Sequence, residues 1–173
     1  MVEPLVTYYL EMTAASQLNA KPVPDGLLVS ECETKQFRYN RFLYELIGQP
    51  WQWTERLAMS HEGWQQEVEH PNHRTWVAYH PGAIAGYYEL RRQADDVEIL
   101  YFGLESSFFG LGFGGGLLSH AIQSAWTWPG TTRVWVHTCT FDHPSALQNY
   151  LSRGFKLYKQ EQVPRELADA SIS

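Results

Sequence analysis

Five of the seven residues at 110–116 are glycine, within the run FGLGFGGGLL that spans 109–118. Glycine tolerates positive φ and lets the backbone approach a ligand closely, so a series of N–H groups can point at an anion lying on the positive end of a following helix. Such a turn suits a phosphate or pyrophosphate, and it does not say which nucleotide carries it. Two side chains elsewhere have the chemistry to take part in proton transfer or to bind a cation. His137 titrates in the useful range and is either a base or a hydrogen-bonded structural histidine. Glu89 is either a carboxylate for a cationic amine or a partner of Arg91 or Arg92. Metal chemistry finds no support: His70 and His73 lack companions at ligand spacing, and Cys32 and Cys139 stand 107 positions apart without CxxC spacing. The two cysteines are expected to be reduced and buried.

The elements that must position these groups follow from periodicity and punctuation. Strands are expected at 6–12 and 27–32, with the Pro, Asn, Asp and Gly of 19–26 forming a loop between them. Phe37, Phe42, Leu43, Leu46 and Ile47 cluster at helical spacing, which predicts a helix over 34–47 stopped by Gly48. An aromatic turn at 49–56 leads to a short helix at 60–69, capped by Ser60 and ended by Pro71. Strands at 74–79 and 83–92, separated by His80, Pro81 and Gly82, read as an antiparallel hairpin. The strand at 97–104 (VEILYFGL) runs into the glycine turn. Strict alternation puts Glu98, Leu100 and Phe102 on one face and Ile99 and Tyr101 on the other. A helix continues through Trp126 until Pro129 and Gly130 break it. A strand at 133–138, a helix at 144–152 closed by Gly154, and a last strand at 155–162 complete the chain.

With 173 residues the chain suits one domain over 1–173 and can bury a sizeable core. Hydrophobic residues make up 44% against 18% charged, which excludes a disordered segment. A net charge of -6 argues against nucleic acid and favours a cationic partner. No apolar run reaches the ~18 residues of a membrane span, and the start carries Glu3 without a basic region, so a cytoplasmic protein is expected. Seven Trp, ten Tyr and eight Phe exceed the needs of such a core, so some rings are expected to line a pocket or an interface.

The segment 109–114 resembles the pyrophosphate-binding pattern of the GNAT superfamily of N-acetyltransferases. That pattern is Gln or Arg, two residues of any kind, Gly, any residue, then Gly or Ala, opening a helix after the fourth strand of the fold. Gly112 and Gly114 fall on its two small positions. Downstream, HPSALQNYLSRGF at 143–155 matches the family's second motif at Ala146, Tyr150, Gly154 and Phe155. Two positions depart from the pattern. Phe109 stands where the family has Arg or Gln, and no Lys or Arg occurs between Arg92 and Arg133. Pyrophosphate binding must then rest on backbone N–H groups and the helix end, unless a distant basic side chain swings in. His143 replaces the family's usual Asn.

The resemblance implies a GNAT fold: an α/β domain with a mixed, mostly antiparallel sheet of six to seven strands, splayed between the fold's strands 4 and 5 and flanked by about four helices. Residues 34–70 would form substrate-side helices and 74–162 the acetyl-CoA-binding core. It implies acetyl-CoA contacts at Phe102, Gly103, Leu104, Phe109, Gly110, Leu111, Gly112, Phe113, Gly114, Gly115, His143 and Tyr150. The main-chain N–H at Leu104 would face the thioester oxygen. VEILYFGL aligns without gaps with the glutamate-bearing strand of the GNAT histone acetyltransferases, which makes Glu98 the expected base. Tyr150 falls on the family's general acid. Tyr39, Trp51 and Trp53, with Glu89 and His137, are the expected substrate contacts. A small cationic amine is the expected acceptor, a protein lysine or N-terminus the alternative, and homodimerisation is common in the family.

Two other readings stand beside this one. Gly110, Gly112 and Gly115 satisfy GxGxxG, but a dinucleotide-binding unit would want those glycines after an early strand of a parallel βαβ unit, and here hairpin-linked strands come first. A non-catalytic acyl-CoA-binding or interaction module on the same fold would explain Phe109 and His143.

Overall fold

The β-rich runs on either side of His80, Pro81 and Gly82 form the expected antiparallel hairpin, and a larger sheet grows outward from it. The structure is a computed structural model describing residues 4–163, so the ends of the domain expected over 1–173 lie outside the described residues. Its strands are β1 (Leu5–Met12), β2 (Leu28–Glu31), β3 (His73–His80), β4 (Ala83–Gln93), β5 (Asp96–Leu104), β6 (Arg133–Cys139) and β7 (Lys156–Val163). They lie in the order β2-β3-β4-β5-β6-β1-β7. Every neighbouring pair is antiparallel except β5 and β6, which run parallel. The four α-helices among the described residues are α1 (Phe37–Gly48), α2 (His61–Val68), α3 (Phe113–Thr127) and α4 (Ala146–Ser152). None is long and apolar enough to cross a membrane.

Local chemistry sets the helix ends. The Ser60 hydroxyl accepts from Gly63 N at 3.0 Å and caps α2 as expected. Helix α1 ends at Gly48 as expected, but Gly48 stays right-handed: the chain tightens into a 3-10 turn at Gln49–Trp51, and Gln52 turns it in the left-handed region at φ 59°. Helix α4 starts at Ala146 rather than at Pro144, since Ala146 N already donates to the His143 carbonyl in a preceding turn.

Each face of the sheet buries its own core. Leu10, Tyr88, Leu90, Val97, Ile99, Val134 and Val136 pack with Leu117, Leu118 and Ile122 of α3. On the opposite face Val77 and Tyr87 pack with Leu43, Tyr44 and Ile47 of α1 and with Trp64 and Val68 of α2. The strict alternation expected along β5 is broken. Leu90 of β4 pairs with Ile99 while Glu89 pairs with Tyr101, so Leu100 is an extra, bulged residue. A bulge of this kind resets the side-chain parity downstream of it. Ile99 and Phe102 therefore share the α3 face, and Tyr101 packs into the α1/α2 face. The expected grouping of Glu98 with Phe102 is thereby corrected.

Candidate functional site

Strands β5 and β6 pair only from Asp96 to Ile99 and from Arg133 to Val136. Beyond that point β5 stays with β4 and β6 stays with β1, so the two strands part. This splay matches the expected one; the strands carry numbers 5 and 6 here because the short β2 adds one. A cleft of about 670 Å³ opens where they separate, lined among others by Phe102, Gly103, Leu104, Val136 and His137. Among the described residues, the edge of β5 that faces β6 has no strand partner over residues 100–104, which leaves main-chain groups able to meet a ligand.

The glycine turn forms one end of the cleft. Gly110 (φ 75°) and Gly112 (φ 80°), the N-cap of α3, occupy the left-handed region, and a side chain at either would meet nothing within 4 Å. Conformation, not crowding, requires glycine there. Crowding is what requires it at Gly116, where a methyl group would strike the Pro22 carbonyl; one on Gly115 would meet only the flexible Lys21 side chain, 2.9 Å from Cδ. The run of glycines thus serves two purposes: Gly110 and Gly112 shape the turn, and Gly116 lets the segment 20–24 lie across the first turn of α3. Ser119 holds that segment, since its hydroxyl accepts from Lys21 N at 2.8 Å and donates to the Gly115 carbonyl at 2.9 Å.

Aromatic rings stand over the turn. Phe109 and Trp51 each lie against His143, with ring centroids 5.0 and 5.1 Å away, and against each other at 5.7 Å. The Phe109 side chain belongs to this cluster and brings no charge to the turn. His143 Nδ1 accepts from Ser145 N at 3.0 Å and orders the turn before α4. Trp53 donates from Nε1 to Asp142 Oδ1 at 3.3 Å and packs against Tyr101 with centroids 5.1 Å apart. Asp142 also accepts from the Thr138 hydroxyl at 2.6 Å and from Cys139 N at 3.1 Å, which ties the end of β6 to the aromatic wall.

Farther along the cleft, His137 Nδ1 lies 3.5 Å from Glu98 Oε1. The His137 side chain is 40% exposed and that of Glu98 only 5%. Arg91 Nη2 donates to Glu98 Oε2 at 2.9 Å and holds the carboxylate in place. His137 lines the cleft and Glu98 does not, so the imidazole stands between the carboxylate and the open space. The hydrogen-bonding carboxylate of Glu98 holds the His137 pKa above its ordinary value, against the opposing effect of burial, and the charges of Glu55 and Asp142 push it the same way. Glu55 is itself exposed and lines the cleft.

Tyr150 reaches the cleft from α4 and is 6% exposed. Burial, with the Asp142 charge, pushes its pKa far above that of a free phenol. The Cys139 thiol also lines the cleft, and burial, then Asp142, raise its pKa, so it stays a thiol rather than a thiolate at neutral pH.

Of the residues expected at the site, Trp51, Trp53, Phe102, Gly103, Leu104, Phe109, Gly110, Gly112, Phe113, Gly114, Gly115, His137, His143 and Tyr150 all line this one cleft. Four others do not, Glu98 among them, since it stands behind His137. Leu111 points outward, 59% exposed. Tyr39 faces the α1/α2 core and shares a 2.8 Å hydrogen bond with Tyr79. Glu89 is fully buried and cannot reach a substrate: Arg56 Nη1 donates to its two oxygens at 2.8 and 3.0 Å, the Tyr87 hydroxyl donates at 2.7 Å, and His73 Nε2 lies 2.5 Å away. Lys21, Glu55, Tyr101, Asp142 and Arg153 line the cleft without having been singled out from sequence. A carboxylate in the turn TFDHPS was a visible signal for Asp142, and Arg153 stands within the 143–155 motif beside Gly154; Lys21 sits far from both motifs, and only folding brings it in.

A splayed mixed sheet with a glycine-rich anion cradle at the head of a helix defines a class of acyl-transfer folds. Residues 40–155 match the model of the acetyltransferase (GNAT) family, and the chain belongs to that family. No curated protein matches it. Among solved structures it resembles a GCN5-related N-acetyltransferase from Sphaerobacter thermophilus (14% identity, TM-score 0.68, 94% of this chain and 53% of that one). It also resembles one from Kribbella flavida (17% identity, TM-score 0.65, 98% and 61%). A third likeness is to an aminoglycoside acetyltransferase from an uncultured soil metagenomic sample (18% identity, TM-score 0.62, 76% and 89%). The chain thus spans little more than half the length of the first two.

Proposed function

We propose that the protein is an acetyl-CoA-dependent N-acetyltransferase that acts by direct attack of a primary amine, and that the acceptor is a small cationic metabolite. The observation that carries this reading is the cleft itself, which holds a phosphate-type glycine turn at one end, His137 on its wall with Glu98 behind it, and Tyr150 reaching in from α4. Acetyl-CoA, when bound, supplies an activated thioester. The residues divide the remaining work. The unpaired edge of β5, Leu104 included, offers main-chain donors for the thioester oxygen. Neutral His137 takes a proton from the acceptor's ammonium group so that the free amine can attack, and Glu98 orients the ring and stabilises the imidazolium that results, so the base expected at Glu98 acts through the imidazole. Tyr150, protonated at any working pH, gives its proton to the departing thiolate as the carbon–sulfur bond breaks. Cys139, held as a thiol, is a poor candidate for a covalent relay, which supports direct attack.

The acceptor reading rests on charge and rings. Glu55, Asp142 and Glu98 surround His137, and Trp51, Trp53 and Tyr101 supply an aromatic wall that suits a cation. The aminoglycoside acetyltransferase neighbour, solved in another instance with sisomicin, is in keeping with a polycationic acceptor. The test is thiol release from acetyl-CoA with polyamines, aminoglycosides, amino acids and lysine peptides as acceptors. Turnover with the small cations but not the peptides supports the reading, and peptide turnover replaces it with a protein acetyltransferase. Saturable acetyl-CoA binding without any turnover would favour the non-catalytic module.

A further inference from the structure

The family pattern asks for a basic residue at the position of Phe109, and the segment between Arg92 and Arg133 has none. Two cations nevertheless reach the cleft. Lys21 and Arg153 are the only lysine or arginine side chains that line it among the described residues. Lys21 lies over the start of α3, with its Nζ 3.7 Å from where a methyl group on Gly115 would sit, and it forms no ion pair with the described residues. Arg153 follows α4 directly. It is 5% exposed, and its Nε and Nη1 are buried without a hydrogen-bond partner among the described residues.

A guanidinium left unsatisfied in this way destabilises the ligand-free fold, and an anion delivered to it would recover that loss. The two cations are held in one assembly. Asn19 N donates to the Arg153 carbonyl at 2.8 Å, and Asn19 Nδ2 to the Ser152 carbonyl at 3.0 Å. Two residues on, Lys21 N is bound to Ser119. The segment 19–21 thus stitches the end of α4 to the first turn of α3, and the close approach at Gly116 is what permits it.

We infer that Lys21 and Arg153 form a split cation pair that receives the phosphate groups of CoA, replacing from two distant segments the charge that the glycine turn lacks. This inference rests on the acetyl-CoA reading above. The phosphates would meet the N–H groups of the glycine turn, with Lys21 on the α3 side and Arg153 on the α4 side. Charge-assisted contacts of this kind are worth about a tenfold change in affinity or more each.

The test is calorimetric titration of the wild type, Lys21→Gln and Arg153→Met with CoA, 3′-dephospho-CoA and S-acetyl-pantetheine, together with thermal unfolding of the ligand-free proteins. CoA binding should weaken about tenfold in each variant, while binding of the phosphate-free pantetheine stays unchanged. Rising ionic strength should weaken the wild type more than Lys21→Gln. Ligand-free Arg153→Met should melt at or above the wild-type temperature, because the unsatisfied charge has been removed. If Arg153→Met fails to fold, Arg153 is structural and the pair is overturned, with Lys21→Gln still deciding the α3 side. If wild type and variants bind CoA alike, or if the variants lose pantetheine in proportion, the inference is overturned while the acetyl-CoA reading stands. A wild type that binds neither CoA nor acetyl-CoA overturns that reading and this inference with it. Retained loss for one phosphate analogue only identifies which phosphate the pair receives.

Discussion

At the scale of single residues, the base and the acid make separable predictions. His137 must be neutral to accept a proton, and Glu98 holds its pKa above the ordinary imidazole value. The acid limb of kcat/KM against pH should therefore report this histidine. Glu98→Gln removes the largest raising influence, so the limb should move to lower pH while the plateau rate falls, because a less basic, poorly oriented imidazole accepts protons less well. Were Glu98 itself the proton acceptor, the same substitution would abolish the limb instead of moving it. Tyr150→Phe keeps the ring that packs beside Phe102 and Phe155 and removes only the hydroxyl. It should lower kcat by about 10²–10⁴, with acetyl-CoA affinity unchanged by calorimetry. An equal drop in affinity and rate would make Tyr150 a packing residue.

Elements decide where those residues can act. The glycine turn before α3 was legible because glycine content and position between a strand and a helix leave few alternatives, and its phosphate chemistry follows from backbone geometry alone. Its division of labour was not legible, since the need for glycine at 116 comes from a segment almost a hundred positions earlier in the chain. Gly112→Ala forces a left-handed alanine and should cost about 1–2 kcal/mol of unfolding free energy, measured by urea denaturation. Gly116→Ala should act differently. It displaces the segment carrying Lys21, so its effect should appear in CoA affinity as well as in stability. The bulge at Leu100 is likewise invisible to alternation, because the residue it inserts is decided by pairing with β4. That one residue turns Tyr101 onto the face that holds Glu98 and Arg91.

Over the whole molecule, the network around Glu89 ties the loop before α2 to β3 and β4. Burial alone would raise the Glu89 pKa, but the charges of Arg56 and His73 outweigh it and hold the carboxyl far below the usual range. A carboxylate with a lowered folded-state pKa stabilises the protein above its unfolded pKa, and that stability is lost as pH falls toward the folded value. Stability should therefore decline below about pH 4, and Glu89→Gln should flatten that decline. At neutral pH the same substitution leaves buried Arg56 with only the part-exposed Glu67, 3.1 Å from its Nη2, so the unfolding free energy should fall, by up to about 3–5 kcal/mol, as checked by denaturant titration. Read along the chain, Glu89 was indistinguishable from a surface or substrate-binding carboxylate. Its partners lie 33 and 16 positions away, and burial is a property of the assembled core. The sequence by itself determined the elements and the glycine turn, because these follow from local backbone chemistry and hydrophobic period, while its resemblance to the GNAT family implied the splayed architecture and most of the residues that gather at the cleft. Tertiary structure alone decided that Glu98 stands behind His137, that Glu89 is an internal ion-pair partner, and that Lys21 and Arg153 converge on the turn. Contacts between distant segments depend on how the sheet is ordered and where its strands part, and no local pattern records either.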